Sequence, residues 1–280
     1  MKKHTSAGRR TAWFFAYLFM ALCVAVAVFP IIWVILSSFK SNQEILSNGL
    51  SWPTQWSFDG YRQALEMAPI FQYFLNSLIV TVLSTALNVL ALSMAGYVFA
   101  KKQFRGKNLL FSILSLSMVI PTTALLSPIY VTITKLGLYD TKAALVLVYA
   151  ALSMPISLMI LRSTFAGVPK ELEEAAYIDG AGFLRTFFSV MMPCARGGIA
   201  SASVLAFLEG WNEFTFALLL TSSGNVRTLP LSLSYFTSQF SFNYTAMFAA
   251  ITIAVIPSII VFTVFSEQVN ASIVAGSVKG

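Results

Sequence analysis

Four of the eleven acidic residues of this 280-residue chain lie in one segment, residues 162–196. They are Glu171, Glu173, Glu174 and Asp179, and they stand out because the formal net charge of the chain is +7. Catalysis by these carboxylates would need a nucleophile, a base or a metal-ligand set nearby. The single histidine lies in the first ten residues and no metal-ligand cluster occurs, so the pattern favours docking to another protein over enzyme chemistry.

The spacing in this segment predicts two short helices set at an angle. Pro169 suits an early helical position, and the acidic residues that follow favour the positive end of the helix dipole. Gly180 ends this helix, and a second begins at Gly182-Phe183 and stops near Pro193. The first helix is expected to carry an apolar stripe of Leu172, Ala175 and Ala176. Such a pair can insert into a groove of a partner and transmit a rigid-body push.

Composition predicts that the rest of the chain lies in a membrane. Hydrophobic residues make up 57%, charged residues 10%, and the mean hydropathy is +0.77, whereas a soluble domain has about a quarter charged residues. A spanning helix needs about 20 apolar residues. Six stretches qualify, at about 13–36, 73–100, 109–133, 143–161, 197–221 and 245–265. Each is continuously apolar, which favours helices over a barrel.

Charge along the loops predicts the orientation. Most of the 18 Lys and Arg residues fall at the termini and in the second and fourth connections, which places both termini in the cytoplasm. Lipid headgroups account for these charges, so nucleic acid is not expected as a partner. The first apolar run, about 24 residues, exceeds a signal-peptide core and is expected to remain as a span. Cys23 and Cys194 offer no disulfide pair on the external side.

The acidic segment resembles a known motif. Glu174-Ala175-Ala176, three residues, Gly180, nine residues and Val190-Met191-Met192-Pro193 is similar to the pattern E-A-A, x3, G, x9, I-x-L-P of binding-protein-dependent ABC importer permeases. Val190 and Met192 replace Ile and Leu and keep the apolar character. Trp211-Asn212-Glu213-Phe214 and the tail 275–280 further resemble the carbohydrate permeases of the maltose type.

This resemblance implies a type I ABC importer permease fold, all-α, with six transmembrane helices in the cytoplasmic (inner) membrane. It divides the chain into residues 1–72, a five-helix core at 73–266 that contains the coupling loop 163–196, and a cytoplasmic tail at 267–280. The residues implied to couple to an ATPase are Glu174, Ala175, Ala176, Asp179, Gly180 and Pro193. The implied partners are a second homologous permease in a heterodimer, an ATPase dimer and an extracytoplasmic solute-binding protein.

No cofactor is expected on this chain itself. It has no G-x-x-x-x-G-K-[ST] sequence to cradle nucleotide phosphates, so ATP and magnesium are expected on the partner ATPase.

Polar residues of the fifth span form a candidate translocation path. Glu209, Asn212, Glu213 and Phe216 share one helical face by spacing, and carboxylates within a bilayer are costly unless they face water or a partner. Contact with sugar hydroxyls, hydrogen bonding to the partner permease and a gating role all remain open.

Two features of the other spans complete the prediction. Asn76 and Asn88 are expected to hydrogen-bond across helix interfaces. Kinks are expected at Pro121, Pro128, Pro155 and Pro257.

The function indicated is ATP-driven import of a sugar, specifically an oligosaccharide, by alternating access. Two alternatives stay open. One is an ion-coupled secondary transporter with Glu209 and Glu213 as ion sites, which leaves the acidic segment unexplained. The other is an ABC importer permease for a non-sugar solute such as a glycerol phosphate.

Overall fold

Every regular element among residues 7–236 and 242–266, the part of the chain that this computed structural model describes, is helical. Side chains are described from residue 12 onward, and the expected tail at 267–280 lies outside the described residues. The α-helices are α1 (Ala7–Ser37), α2 (Asn42–Ser47), α3 (Asp59–Met67), α4 (Ile70–Lys101), α5 (Lys107–Leu116), α6 (Leu126–Lys135), α7 (Lys142–Leu152), α8 (Met154–Gly167), α9 (Lys170–Ile178), α10 (Phe183–Thr186), α11 (Met192–Cys194), α12 (Arg196–Trp211), α13 (Thr215–Leu220) and α14 (Tyr244–Val264). Short 3-10 segments occur at Ser117–Val119, Thr122–Leu125 and Leu229–Phe236, and a π segment at Phe187–Met191. The all-α prediction is confirmed for the described residues.

Three of these helices are long and apolar enough to cross a membrane unaided: Ala12–Ser37, Ile70–Lys101 and Tyr244–Val264. Three further candidates are bent pairs. They are Lys107–Val119 with Thr122–Lys135, Lys142–Leu152 with Met154–Gly167, and Phe183–Cys194 with Arg196–Trp211, bent by 102°, 52° and 81°. Counting each bent pair as one span gives six by length and composition.

Two of the bends coincide with prolines that the sequence marks as breakers. Pro121 separates the two 3-10 segments at the 102° bend, because proline has no N–H to donate to the preceding turn. Pro155 lies in the first turn of α8, directly after the 52° bend. Pro128 lies in the first turn of α6, where a missing N–H is tolerated. The helix α14 continues through Pro257 to its end.

The chain forms two compact units, and the larger comprises the described parts of residues 69–232 and 254–280. Its central element is α4, which packs along α7, α8 and α12. At Gly96 the backbones of α4 and α8 approach so closely that a Cβ atom would lie 3.0 Å from backbone atoms of Leu161 and Arg162. The amide of Asn88 donates to the Ala150 carbonyl of α7 at 2.7 Å, which confirms the predicted interhelical bond.

The smaller unit comprises the described parts of residues 1–68 and 233–253. Between residues 13 and 32 the side chains of α1 are exposed in this single chain. Its last turns are held by Trp33, whose indole N–H donates to the Gly49 carbonyl at 2.8 Å and whose ring packs edge-on against Phe248. Beyond the helix the Lys40 ammonium is buried and donates to the same carbonyl at 2.9 Å.

Candidate coupling site

The acidic segment forms a helix where the spacing predicts one. Pro169 precedes α9, and Glu171 and Glu173 occupy its first turn. The helix ends because Gly180 takes a left-handed conformation, with φ +76°. Here the Gly180 amide donates to the Tyr177 carbonyl at 3.0 Å.

A second backbone bond completes the end of α9. The amide of Ala181 donates to the Ala176 carbonyl at 2.9 Å, and together with the Gly180 bond this is the Schellman pattern. Residues other than glycine rarely adopt such a φ, so Gly180 allows the chain to turn sharply into α10. The predicted helix, turn and second helix are therefore confirmed as local structure.

One face of α9 is exposed among the described residues of the larger unit. Glu171, Glu174, Ala175 and Ile178 lie at positions i, i+3, i+4 and i+7, and all four are exposed. The Ile178 side chain is 86% exposed. The Glu174 carboxylate pairs with the Lys170 ammonium at 2.7 Å, and both side chains remain largely solvated. We call these four residues the outer face of α9.

The opposite face of α9 is buried, which corrects the predicted apolar stripe. Ala176 is 7% exposed and Glu173 is 5% exposed, whereas Leu172 and Ala175 face outward. Residues 172, 175 and 176 therefore do not form one surface. Ala176 lies on the buried side of α9, together with Glu173.

Asp179 and Pro193 both lie at ends of short helices. Asp179 caps the C-terminus of α9 and is exposed. Pro193 is exposed at the start of α11, just before the 81° bend into α12. The preceding residues, Phe187–Met191, form a π segment, which fits a position where proline interrupts the hydrogen-bond ladder.

The carboxylate of Glu173 is buried, and its partners come from the end of α4 and from Tyr177 of α9 itself. The carboxylate oxygen Oε1 forms an ion pair with the Lys102 ammonium. The same oxygen accepts hydrogen bonds from the Tyr97 hydroxyl at 2.7 Å and the Tyr177 hydroxyl at 3.4 Å. The Lys102 ammonium also donates to the Tyr177 hydroxyl at 3.0 Å.

Three aromatic rings lie around the Lys102 ammonium, whose side chain is one-third exposed. It lies 5.6 Å from the ring centre of Tyr97, 5.1 Å from that of Tyr177 and 5.7 Å from that of Phe183. These distances are within the range of cation–π attraction. We call Tyr97, Lys102, Glu173, Tyr177 and Phe183 the Lys102 cluster.

Two opposing effects set the pKa values in this cluster. Burial raises the pKa of the Glu173 carboxyl, but hydrogen bonds from Lys102 and Tyr97 outweigh it, so the pKa lies below the usual range. Burial lowers the pKa of Lys102, but the hydrogen bond to Glu173 outweighs it, so that pKa is raised. Both shifts favour the charged pair at neutral pH.

Sequence reasoning missed the Lys102 cluster. The loop at residues 101–107 is interpreted from the sequence only as a basic turn that sets orientation, yet three of its ammonium groups make specific bonds. Lys101 donates to the Val168 carbonyl at the end of α8, and Lys107 donates to the Lys102 carbonyl at 2.8 Å. Residues 102 and 173 are far apart in sequence, so helical spacing contains no signal of their pairing.

The four residues of the candidate translocation path do not share one helical face. The predicted fifth span continues to residue 221, but α12 ends at Trp211 and α13 begins at Thr215. At this break the carboxylate of Glu213 accepts hydrogen bonds from the amides of Phe216 at 2.7 Å and Ala217 at 2.9 Å. It thus caps the first turn of α13.

The remaining three residues are distributed between the surface and the core. Glu209 and Asn212 are exposed at the C-terminal end of α12, where the Asn212 amide donates back to the Leu208 carbonyl at 2.8 Å. Phe216 is buried against Val80 and residues of α7. The arrangement retains two exposed polar groups, Glu209 and Asn212, as candidates for contact outside this chain.

Comparison with known proteins covers nearly the whole chain. Residues 88–274 match the family described as "Binding-protein-dependent transport system inner membrane component". A diacetylchitobiose uptake system permease of Streptomyces coelicolor is 35% identical over 93% of this chain and 87% of its own length. A trehalose transport system permease of Mycobacterium tuberculosis is 30% identical over 98% of this chain and 100% of its own length.

Solved structures show the same fold. A chain of a bacterial ABC transporter involved in the import of alginate, an acidic polysaccharide, aligns with a TM-score of 0.83 at 21% identity. The alignment covers 95% of this chain and 99% of the other. A second alginate ABC transporter structure, in complex with a periplasmic protein bound to an alginate pentasaccharide, aligns with a TM-score of 0.69. The arrangement of bent helices described above is therefore that of an ABC importer permease.

Proposed function

Because the chain belongs to the family of inner membrane components of binding-protein-dependent transport systems, we propose that it is one permease of an ATP-driven importer that moves an oligosaccharide across the cytoplasmic membrane by alternating access. The family and the membrane location rest on matches over almost the full length of the chain. The cargo is proposed from relatives named for diacetylchitobiose, trehalose and arabinooligosaccharide transport.

The outer face of α9 is the single observation that supports energy coupling most strongly. This face combines an isoleucine that is 86% exposed, a small alanine and a solvated carboxylate, a mixed surface that fits a groove on a partner. We assign this face to the cleft of an ATPase subunit. Glu174, Ala175 and Asp179 make the contact, Gly180 supplies the turn behind it, and Ala176 and Pro193 set the pose of the two helices.

The orientation follows from this assignment. The loop at residues 163–196 then lies in the cytoplasm, together with the basic turn at residues 101–107 and both termini. The ATPase dimer binds ATP and magnesium, while this chain binds neither. An external solute-binding protein delivers the sugar, and a second homologous permease completes the pore as a heterodimer.

Glu209 and Asn212 are proposed to face the pore or the second permease. Both are exposed in the isolated chain, and an exposed carboxylate in a spanning region is costly in contact with lipid. Glu213 and Phe216 contribute indirectly, because Glu213 caps α13 and Phe216 anchors it in the core.

Site-specific photo-crosslinking tests the docking assignment. A photoreactive amino acid at residue 178, on the outer face of α9, should crosslink to the ATPase in membranes that contain the assembled transporter. Leu50 is a matched control, since its side chain is also apolar and highly exposed, at 75%, but lies in the other unit. Crosslinking to the ATPase from residue 50 and none from residue 178 would contradict the assignment.

A further inference from the structure

We propose that the Lys102 cluster is the joint that carries a displacement of α9 into α4, with Lys102 and Glu173 as positioning residues for coupling. The inference rests on the proposed function, in which an ATPase moves α9. It assigns a role to the buried side of α9, opposite the outer face.

The chain itself gives α9 no direct connection to α4. At its start α9 joins α8 through Val168 and Pro169, and at its end it turns at Gly180 into α10. A push on the outer face can reach α4 indirectly through α8, which packs along α4, or directly through side-chain contacts of α9. The hydrogen bonds and ion pair of Glu173 and Tyr177 provide such contacts to the end of α4.

These contacts are suited to move as one body. Three donors converge on one oxygen of Glu173, and Lys102 bonds both Glu173 and Tyr177. Glu173 is 5% exposed and Tyr97 is fully buried, so water does not readily replace a broken bond to the carboxylate, although the Lys102 side chain is one-third exposed. Separating the pair would leave a buried charge without its partner, which is strongly unfavourable.

The aromatic rings determine which of the two positions, 102 or 173, can hold the positive charge. Ring faces attract a cation and repel an anion. Lys102 lies among three ring faces, whereas the Glu173 carboxylate accepts hydrogen bonds from the hydroxyls of Tyr97 and Tyr177. Exchanging the two charged residues would place a carboxylate among the rings. The exchanged pair should therefore not restore the joint, unlike an ordinary surface ion pair.

Contacts of α4 with neighbouring helices can pass the displacement on within the larger unit. Tyr97 belongs to the buried cluster with Leu158, Phe165 and Phe187, which ties the end of α4 to α8 and the π segment. Further along, Asn88 bonds α7. A displacement of α9 that moves α4 thus also reaches α7 and α8.

Variants of the assembled importer test this role. We would reconstitute both permeases, the ATPase and the binding protein in liposomes and measure ATP hydrolysed per sugar imported. Glu173→Gln and Lys102→Met should raise this ratio about tenfold, within the range typical of coupling between sites. Lys102→Arg, which keeps the cation, should stay near wild type. The exchange K102E/E173K should be as uncoupled as the single variants.

The control is Arg62→Met, which breaks the exposed ion pair between Arg62 and Glu66, 3.2 Å apart, and should leave the ratio unchanged. A wild-type ratio in Glu173→Gln and Lys102→Met would overturn the proposal. Recovery of coupling by the exchanged pair would also overturn it. A wild-type complex without ATP-driven uptake would instead overturn the proposed function, so the two failures are distinguishable.

If variants of the Lys102 cluster fail to assemble, a distance measurement between α9 and α4 with the cluster intact tests the same proposal. Spin labels at Leu172 of α9 and Met94 of α4, both exposed and outside the outer face and the Lys102 cluster, would be introduced after replacing Cys23 and Cys194. A rigid joint predicts the same label distance, within about 2 Å, with and without ATP in the full complex. A larger ATP-dependent change in that distance would show that α9 moves independently of α4 and would overturn the proposal.

Discussion

Gly198 allows α12 to approach α8, and its substitution offers a direct test of this packing. A Cβ atom at residue 198 would lie 1.9 Å from the hydroxyl oxygen of Thr164 and 2.6 Å from its Cβ. Rotating the threonine side chain moves the hydroxyl but leaves Cβ in place, so Gly198→Ala must displace a helix. Overpacking of this kind costs about 1–3 kcal/mol.

The neighbouring glycine supplies a matched control. At Gly197 a Cβ atom would meet no heavy atom of the described chain within 4 Å. Gly197→Ala should therefore be neutral or stabilise the helix by up to about 1 kcal/mol. Heat or denaturant unfolding of the purified permease in detergent, followed by circular dichroism, measures both variants under the same conditions.

A second background tests the named contact. Thr164→Ala removes the hydroxyl oxygen and Cγ2, two of the three atoms that the new methyl group would meet. The cost of Gly198→Ala should be smaller in Thr164→Ala than in the wild-type chain, as a double-mutant cycle would show. Equal stability of Gly198→Ala and Gly197→Ala in the wild-type background would refute the packing argument.

Three further variants probe local structure. In Gly180→Ala the new methyl group meets no neighbouring atom, but the left-handed backbone conformation costs about 1–2 kcal/mol for a residue with a Cβ atom. Amide hydrogen exchange at the end of α9 should therefore accelerate in Gly180→Ala and stay unchanged in Gly182→Ala. Glu213→Gln keeps one acceptor oxygen of two and should lower the free energy of unfolding by about 1.5–3 kcal/mol, measured by denaturation. Burial raises the pKa of Asp140, but hydrogen bonds from the amides of Ser222 and Ser223 lower it overall. The ionised Asp140 carboxylate therefore stabilises the folded chain above the unfolded-state pKa of about 3.9, and this stabilisation is lost as pH falls through the lower folded-state pKa. Acid should therefore lower the melting temperature less in Asp140→Asn than in the wild type.

Each outcome has a contrary result. Equal exchange rates in Gly180→Ala and the wild type would show that the left-handed turn does not hold the helix end. An unchanged unfolding free energy in Glu213→Gln would show that the capping bonds contribute nothing. Identical acid shifts of the melting temperature in Asp140→Asn and the wild type would remove that carboxylate from the pH dependence.

Local signals in the sequence were sufficient to predict the ends of α9. Pro169 and Gly180 act on their own backbone, through a fixed φ and a left-handed turn, so their effect needs no knowledge of the fold. Three of the predicted spans correspond to single helices of sufficient apolar length, and the number reaches six only when each bent pair is counted as one span.

The orientation of side chains was less predictable, because it depends on what each helix meets. Glu173 and Glu174 are adjacent acidic residues, and the structure buries Glu173 against Tyr97 and Lys102 while Glu174 stays exposed. In the predicted fifth span, the i+4 spacing of Glu209 and Glu213 is compatible with one continuous helix, so it does not reveal the break after Trp211. At that break the Glu213 carboxylate accepts hydrogen bonds from amides of the next turn, a contact that spacing alone does not predict.

In the proposed function, ATP hydrolysis by a partner drives this permease through the outer face of α9. Sugar uptake into liposomes that contain the complete importer, with ATP inside and ion gradients collapsed by ionophores, tests this coupling. Wild type should import sugar only with ATP, while Glu174→Arg and Gly180→Trp should bind lipid and assemble but lose uptake. Uptake driven by an ion gradient without the ATPase, or wild-type coupled uptake in both variants, would contradict the claim.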